Sequence, residues 1–418
     1  MQSKMYDLTN PQKSIWYTEE FLKGTSAENI TGTVIVPNKV DFTLLEKAIN
    51  IFVQKSDSFR LRFIAQSANV QQYFEEYKPF SVELISVSSE KDLKALENSV
   101  ASTVFDVQNS LLFTFIMVKF PDDHGGFIVN MHHLISDAWS AGLGGSEIIR
   151  IYSMLLKNEN IDNISYPSFA EHIDSEIEYM NSDKYIKDRT FWQDTFKTIP
   201  EIATIPSTNP PHGESVKFKA NRKQFTMPKE LIEEISNFCR NNQCSIFNFF
   251  MAVYSSYIGK VSNLDDFAIG TPILNRLNVK DKHTSGMFVS TVPLRISLIE
   301  NMKFKDLAKN IGTNLFSIFK HQKYPYLSIL EDLRHVDNTI PNLYNILISY
   351  QNIRSTAKNS SVPFEISWVP AEFTADNIDI HIYDMNDTRK YKYCLWLSNC
   401  KIHISRHNGY SWENIEYD

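Results

Sequence analysis

The chain has 418 residues, of which 43% are hydrophobic and 22% charged, enough apolar material for two or three domain-sized units. A formal net charge of -7 argues against a nucleic-acid binder, which concentrates positive charge, and no run of about 18 apolar residues marks a membrane span. The opening stretch MQSKMYDLTNPQKSIW has neither the apolar region nor the cleavage site of a signal peptide, and Cys239, Cys244, Cys394 and Cys400 form no CxxC pair. A cytoplasmic monomer with no nucleic-acid or membrane partner is the expectation.

Strand-like and helix-like segments alternate along the chain, which predicts an α/β (α+β) class. Residues 43–54 place Leu44, Leu45, Ala48, Ile49 and Phe52 at helical spacing. Residues 111–118 and 126–131 are apolar runs rich in branched and aromatic side chains, read as adjacent buried strands joined by the turn PDDHGG. Residues 138–156 read as a helix with Trp139, Leu143, Ile148, Ile149, Tyr152 and Leu155 inward, capped by Asp137 or Ser136. The polar, proline-containing stretch 157–222 holds one helical piece around 168–196 and reads as a connection between two lobes. Two helices over 229–259 follow, split near Asn241 and Asn242, then strands at 266–274 and 288–298, a helix at 304–320, and strands at 343–350 and 377–384. Two halves of similar size and element mix suggest a pseudo-duplicated, two-lobed architecture.

The segment richest in chemistry is Met131-His132-His133-Leu134-Ile135-Ser136-Asp137-Ala138-Trp139-Ser140. It sits where a buried strand ends and a helix begins, so two histidines and an aspartate share one strand-to-helix turn, a place where a rigid scaffold presents reactive groups. A helix start offers unpaired N–H groups and partial positive charge, suited to a developing oxyanion, and histidine is the natural proton acceptor beside it. Read from the residues alone, the histidines could also be a buried, hydrogen-bonded pair with Asp137 as a helix cap. Adjacent histidines with one Asp lack a third ligand at helical spacing, so no metal site is expected.

His132-His133-x-x-x-Asp137 resembles the HHxxxDG core of the condensation domains of nonribosomal peptide synthetases, within the wider chloramphenicol-acetyltransferase-like superfamily. Further segments resemble that family's motifs in the family's order. Residues 8–16 carry Gln12 and Trp16 of S-x-A-Q-x-R-x-W, and residues 55–63 carry Arg60 and Phe63 of RHExLRTxF. IGTPILNR at 269–276 resembles GTPxxNR, and GMFVSTVPLR at 286–295 resembles G-x-F-V-N-T-x-P-L-R with Ser290 in place of Asn. HQKYPY at 321–326 and ISYQN at 348–352 resemble the remaining two elements.

The resemblance implies two chloramphenicol-acetyltransferase-like lobes in a V with a tunnel between them: an N-terminal lobe over 1–165, a connection over 166–222 and a C-terminal lobe over 223–418. A floor over about 269–295, a latch over about 351–385 and an atypical tail over about 394–418 are implied with them. It implies an acyltransferase that joins two carrier-bound groups by an amide bond, with His133 catalytic or substrate-positioning and His132 beside it in a structural role. Asp137 is expected to hold the turn through an ion pair with Arg276 or Arg60. Ala138 stands where the family has glycine, which is tolerated if the backbone there avoids positive φ. Ala138, Trp139, Ser290 and Gln351 are expected along the tunnel. The implied partners are donor and acceptor peptidyl carrier proteins with their phosphopantetheine arms and a downstream adenylation domain, with no cofactor bound to the chain itself. The first motif starts near residue 8, which suggests the first domain of a larger synthetase, an excised domain or a stand-alone protein, and the tail, ending NGYSWENIEYD without an apolar helical stripe, suggests truncation or alteration relative to a whole domain. The alternatives are a stand-alone acyltransferase using a free small-molecule acceptor and a non-catalytic carrier-binding module, although His133, lost in such modules, is present.

Overall fold

The first half of the chain alternates short strands with helices whose apolar faces turn inward. The structure is a computed structural model that describes residues 4–66, 69–205, 220–352, 361–370, 373, 378–385 and 390–398. In chain order, the first half contains β1 (Tyr6–Asp7), α1 (Asn10–Phe21), β2 (Asn29–Lys39), α2 (Phe42–Lys55), β3 (Leu61–Gln66), β4 (Asn69–Phe74), β5 (Glu83–Ser86), α3 (Glu90–Ala101), β6 (Phe113–Lys119), β7 (His124–His132) and α4 (Ala138–Leu156). Two helices, α5 (Phe169–Met180) and α6 (Asp183–Thr195), lead into the second half. There follow β8 (Ala220–Thr226), α7 (Lys229–Asn242), α8 (Ile246–Ser262), β9 (Asp266–Ile273), α9 (Val279–His283), β10 (Ser290–Ser297), α10 (Phe304–Lys320), α11 (Tyr326–Arg334), β11 (Ile346–Asn352), β12 (Glu365–Val369), β13 (Ile378–Met385) and β14 (Lys390–Ser398).

Each half builds its own sheet and its own core. The first sheet has the order β12-β2-β7-β6-β5, the second β10-β9-β11-β13-β14-β8, and a small third sheet is β1-β4-β3. Helix α2 is set by the spacing read in the sequence: Leu45, Ala48, Ile49, Phe52 and Val53 are buried, and the Asp41 side chain caps the N-terminus by accepting from Leu44 N–H. Its inner face joins Ile148, Ile149 and Tyr152 of α4 in the first core, while Ile258, Phe267, Leu294, Ile311 and Ile348 belong to the second.

The helical piece expected around 168–196 is two helices. Ser182 caps α6 by accepting from Tyr185 N–H, which starts a new helix rather than prolonging the old one. The break is where the chain changes cores: Phe169 and Ile173 of α5 pack in the first, Trp192 of α6 and Phe196 just beyond it in the second.

Crossings in both directions tie the lobes together. Strand β12 leaves the second half and pairs antiparallel with β2 of the first sheet, Trp368 opposite Gly32. A Cβ on Gly32 would lie 3.1 Å from the Trp368 ring, so the absence of a side chain lets the indole seat there. The chain then returns as β13, parallel to β11. In the other direction, Phe288, just before β10, is fully buried in the first core. Strand β14 pairs with β13 and β8, so the backbone over 390–398 is extended, and the rest of the atypical tail lies outside the described residues.

Candidate active site

The site is the turn from β7 to α4. Strand β7 runs into His132 and His133 in register with its neighbours: His132 N–H donates to the Leu112 carbonyl at 2.9 Å and His133 N–H to the Glu28 carbonyl at 2.8 Å. Ile135 N–H then donates back to the His132 carbonyl at 3.1 Å, which closes the turn before the helix begins.

Asp137 is the N-cap of α4 and is fully buried. Its Oδ1 accepts from Ser140 N–H at 2.8 Å. Its Oδ2 accepts from Arg276 Nη1 at 2.6 Å and from the backbone N–H groups of Phe288 and Val289 at 3.0 and 3.2 Å. Burial pushes the carboxyl up, but the Arg276 guanidinium and these donors outweigh it and hold Asp137 below its ordinary value. Arg276, itself buried, also donates from Nη2 to Ser140 Oγ at 2.6 Å and lies over the Phe288 ring, 4.1 Å from its centroid. The Ser140 hydroxyl donates to the Gly286 carbonyl at 2.9 Å and accepts from Gly286 N–H at 3.1 Å. Gly286 has φ +147, and a Cβ there would come within 2.2 Å of the Phe169 ring. The connection between β9 and β10 thus clamps the α4 N-terminus from the opposite lobe.

Of the two arginines expected to reach Asp137, Arg276 does so and Arg60 does not. Arg60 Nη1 donates to the Glu75 carbonyl at 2.9 Å, because the short helical turn at Asp57–Arg60 holds it beside β4 in the first lobe. Arg62 takes the Glu75 carboxylate there, at 2.6 Å.

The two histidines differ. His132 is buried, its Nδ1 accepts from Leu134 N–H at 3.1 Å, and its Nε2 lies 3.2 Å from Glu19 Oε2. His133 is half-buried, and its Nδ1 is enclosed without a hydrogen-bond partner. Burial lowers the imidazole from 6.5 to about 4, opposed by the charge on Asp137 and reinforced by His132, so the ring is neutral at pH 7.

Ala138 is the first residue of α4, exposed, and absent from the residues with positive φ, so its Cβ is accommodated in helical backbone. Trp139 is 38% exposed rather than inward, and its Nε1 donates to the Lys282 carbonyl at 3.0 Å. A residue in the first helical turn precedes the stretch of α4 that packs on the core, and α9 supplies the acceptor. Ser290 opens β10 and Gln351 lies in β11; both are half-buried, and Gln351 Nε2 reaches Ser349 Oγ at 3.4 Å.

Several residues at the site were given no role by the sequence. Glu19 and Glu28 are charged residues far from the histidines in the chain, and Ser140 and Gly286 act through a reciprocal pair of hydrogen bonds across lobes. Gln12, quoted only as a motif match, is fully buried and donates to the Leu134 carbonyl at 3.0 Å, bracing the turn from α1.

Residues 2–395 match the condensation-domain family. The chain belongs to this family. The condensation domain is 32% identical over 400 residues to surfactin synthase subunit 1 of Bacillus subtilis (strain 168), covering 93% of this chain and 11% of that protein. Over 402 residues it is 26% identical to gramicidin S synthase 2 of Aneurinibacillus migulanus, covering 93% and 9%. The chain therefore spans a small part of the length of the curated relatives it matches. Among solved structures, the starter condensation domain of rhizomide synthetase RzmA superposes with a TM-score of 0.83 at 17% identity, covering 96% of this chain and 90% of that one. The first condensation domain of the calcium-dependent antibiotic synthetase gives 0.80 at 13% identity, covering 95% and 91%. The fold of this condensation domain is the mixed α/β, chloramphenicol-acetyltransferase-like one. Condensation domains form amide bonds in nonribosomal peptide synthetases. No helix among the described residues is long and apolar enough to cross a membrane.

Proposed function

We propose that this domain condenses a donor acyl or peptidyl thioester with an acceptor aminoacyl thioester, each carried on the phosphopantetheine arm of a peptidyl carrier protein. The acceptor amine attacks the donor carbonyl, the carbon–nitrogen bond forms, the carbon–sulfur bond breaks, and the donor arm leaves as a thiol. The supporting observation is the state of His133: half-buried and neutral, on a turn locked to the opposite lobe through Asp137 and Arg276. A neutral imidazole accepts a hydrogen bond from the amine and orients it, and holding both reactants in place supplies several kcal/mol of the barrier.

In this reading the lobes are 1–165 and 223–418, joined through 166–222, with a passage between them that ends at His133. The crossing from β9 to β10 is its floor and β12 its latch; Ala138, Trp139, Ser290 and Gln351 border it. An adenylation domain loads the acceptor carrier, and the assembly works in the cytoplasm.

The test compares one acceptor amino acid loaded on a carrier protein with the same amino acid free in solution, each against a carrier-loaded donor. Amide formation only from the loaded acceptor is expected. Equal transfer to the free acceptor would assign the chain to a stand-alone acyltransferase, and binding of carriers without transfer to a docking module.

A further inference from the structure

Helix α1 turns one face toward the corner that carries the histidines. Its buried side chains include Gln12, Trp16 and Glu19, which form a single stripe along the helix. Two of these are polar, and each reaches the turn. Gln12 Nε2 donates to the Leu134 carbonyl at 3.0 Å. Glu19 Oε2 lies 3.2 Å from His132 Nε2, and both side chains are buried. A buried carboxylate is costly unless it is paired, and among the described residues His132 is the group that pairs with Glu19.

The hydrogen bonds fix the proton of His132 as well as its ring. Nδ1 accepts from Leu134 N–H at 3.1 Å. A ring nitrogen that accepts carries no proton, so the neutral imidazole holds its proton on Nε2 and donates it to Glu19. His132 is thus a strut from α1 to the peptide group that follows His133. On the other side of that residue, His133 N–H donates to the Glu28 carbonyl at 2.8 Å. Peptide groups are planar, so the direction of a Cα–Cβ bond is set once the planes on both sides of it are fixed. The strut fixes one of the two planes that flank His133, and Gln12 holds the next carbonyl along.

We infer that Glu19 is a positioning residue for the condensation: by accepting from His132 Nε2–H it locks the strut, and the strut aims the side chain of His133. The inference rests on the amide-forming reading above. In this role Glu19 touches no substrate and moves no proton. A displacement of about 1 Å can cost about 10²-fold in rate, so a loosened strut is expected to show in kcat rather than in KM.

The experiment uses a loaded carrier pair that the wild type condenses, with rates taken per folded molecule from each variant's melt. Glu19→Leu keeps the size and removes the acceptor; kcat is expected to fall at least about 10-fold with KM within about 2-fold. Glu19→Gln keeps a carbonyl acceptor and is expected to recover kcat to within about 3-fold of wild type. A residue that acts through another loses its effect once the other is gone. His132→Asn still accepts from Leu134 N–H, as in an Asx turn, but is too short to reach Glu19; adding Glu19→Leu to it is expected to change kcat by less than about 2-fold. Long-range proton–nitrogen NMR correlation on the wild type at pH 7 tests the strut without any variant, and the Nε2–H tautomer of His132 is expected. The Nδ1–H tautomer or an imidazolium there would overturn the inference. So would an unchanged kcat in folded Glu19→Leu, equal losses in Glu19→Leu and Glu19→Gln, or additive losses in the double variant. Failure of the wild type to condense any loaded pair, with the Nε2–H tautomer present, would instead overturn the amide-forming reading, and the catalytic role of Glu19 with it.

Discussion

Asp137 and His133 sit four residues apart on one turn and are treated in opposite ways. Every acceptor direction of Asp137 is filled: a guanidinium from the far lobe, its own helix, and two backbone N–H groups of the β9–β10 crossing. The Nδ1 of His133 is enclosed and accepts from nothing. Buried polar groups without partners are costly, so a protein that saturates one and leaves its neighbour open has separated holding from reacting. Asp137 fixes where the turn lies between the lobes, and in the proposed function the half-buried ring of His133 is the part of the turn that a substrate meets.

The sharpest way to break this contrast is to empty the saturated side. Asp137→Ala leaves the Arg276 guanidinium buried without its carboxylate and is expected to cost about 3–5 kcal/mol of stability, read by denaturant unfolding. A loss below about 1 kcal/mol would mean that the clamp carries little of the lobe-to-lobe contact. Gly286→Ala attacks the same clamp through its backbone: the added Cβ meets the Phe169 ring at a positive φ, and a cost of about 1–3 kcal/mol is expected.

Acid tests the open side. The imidazole of His133 is lowered to about 4, so its burial contributes stability that is present above about 6.5 and lost as pH falls toward 4. His172, stacked on Phe288, is lowered to about 4 for the same first reason and adds to the same window. The wild-type melting temperature is expected to fall between pH 6.5 and 4, and His133→Gln to fall less steeply over that interval; identical slopes would mean that the ring is well solvated. The smallest effect is expected at Arg60, which touches neither histidine nor Asp137. Arg60→Ala removes one hydrogen bond to the Glu75 carbonyl, worth about 1 kcal/mol, and is expected to leave the acid slope of the melt unchanged.

The sequence made the turn legible because a buried apolar strand, two histidines, a capping aspartate and a helical stripe follow one another without interruption, so local rules suffice. The helices of the second lobe at 229–259 and 304–320 were legible for the same reason, their apolar spacing being intact. What was not legible is non-local. Nothing in the sequence chooses Arg276 over Arg60 for Asp137; that choice is made by the crossing from β9 to β10, which brings Phe288 into the opposite core. Trp139 fits the apolar stripe of α4 by spacing, yet it precedes the packed part of the helix and turns to a carbonyl of α9.

The central claim, that the unsaturated half of the turn does the chemistry, is tested most directly by single-turnover amide formation between two loaded carrier proteins on His133→Ala, with its melt recorded beside that of the wild type. The account predicts a rate lowered by about 10²–10⁴-fold with the melt at neutral pH little changed. An unchanged rate in the folded variant would contradict it.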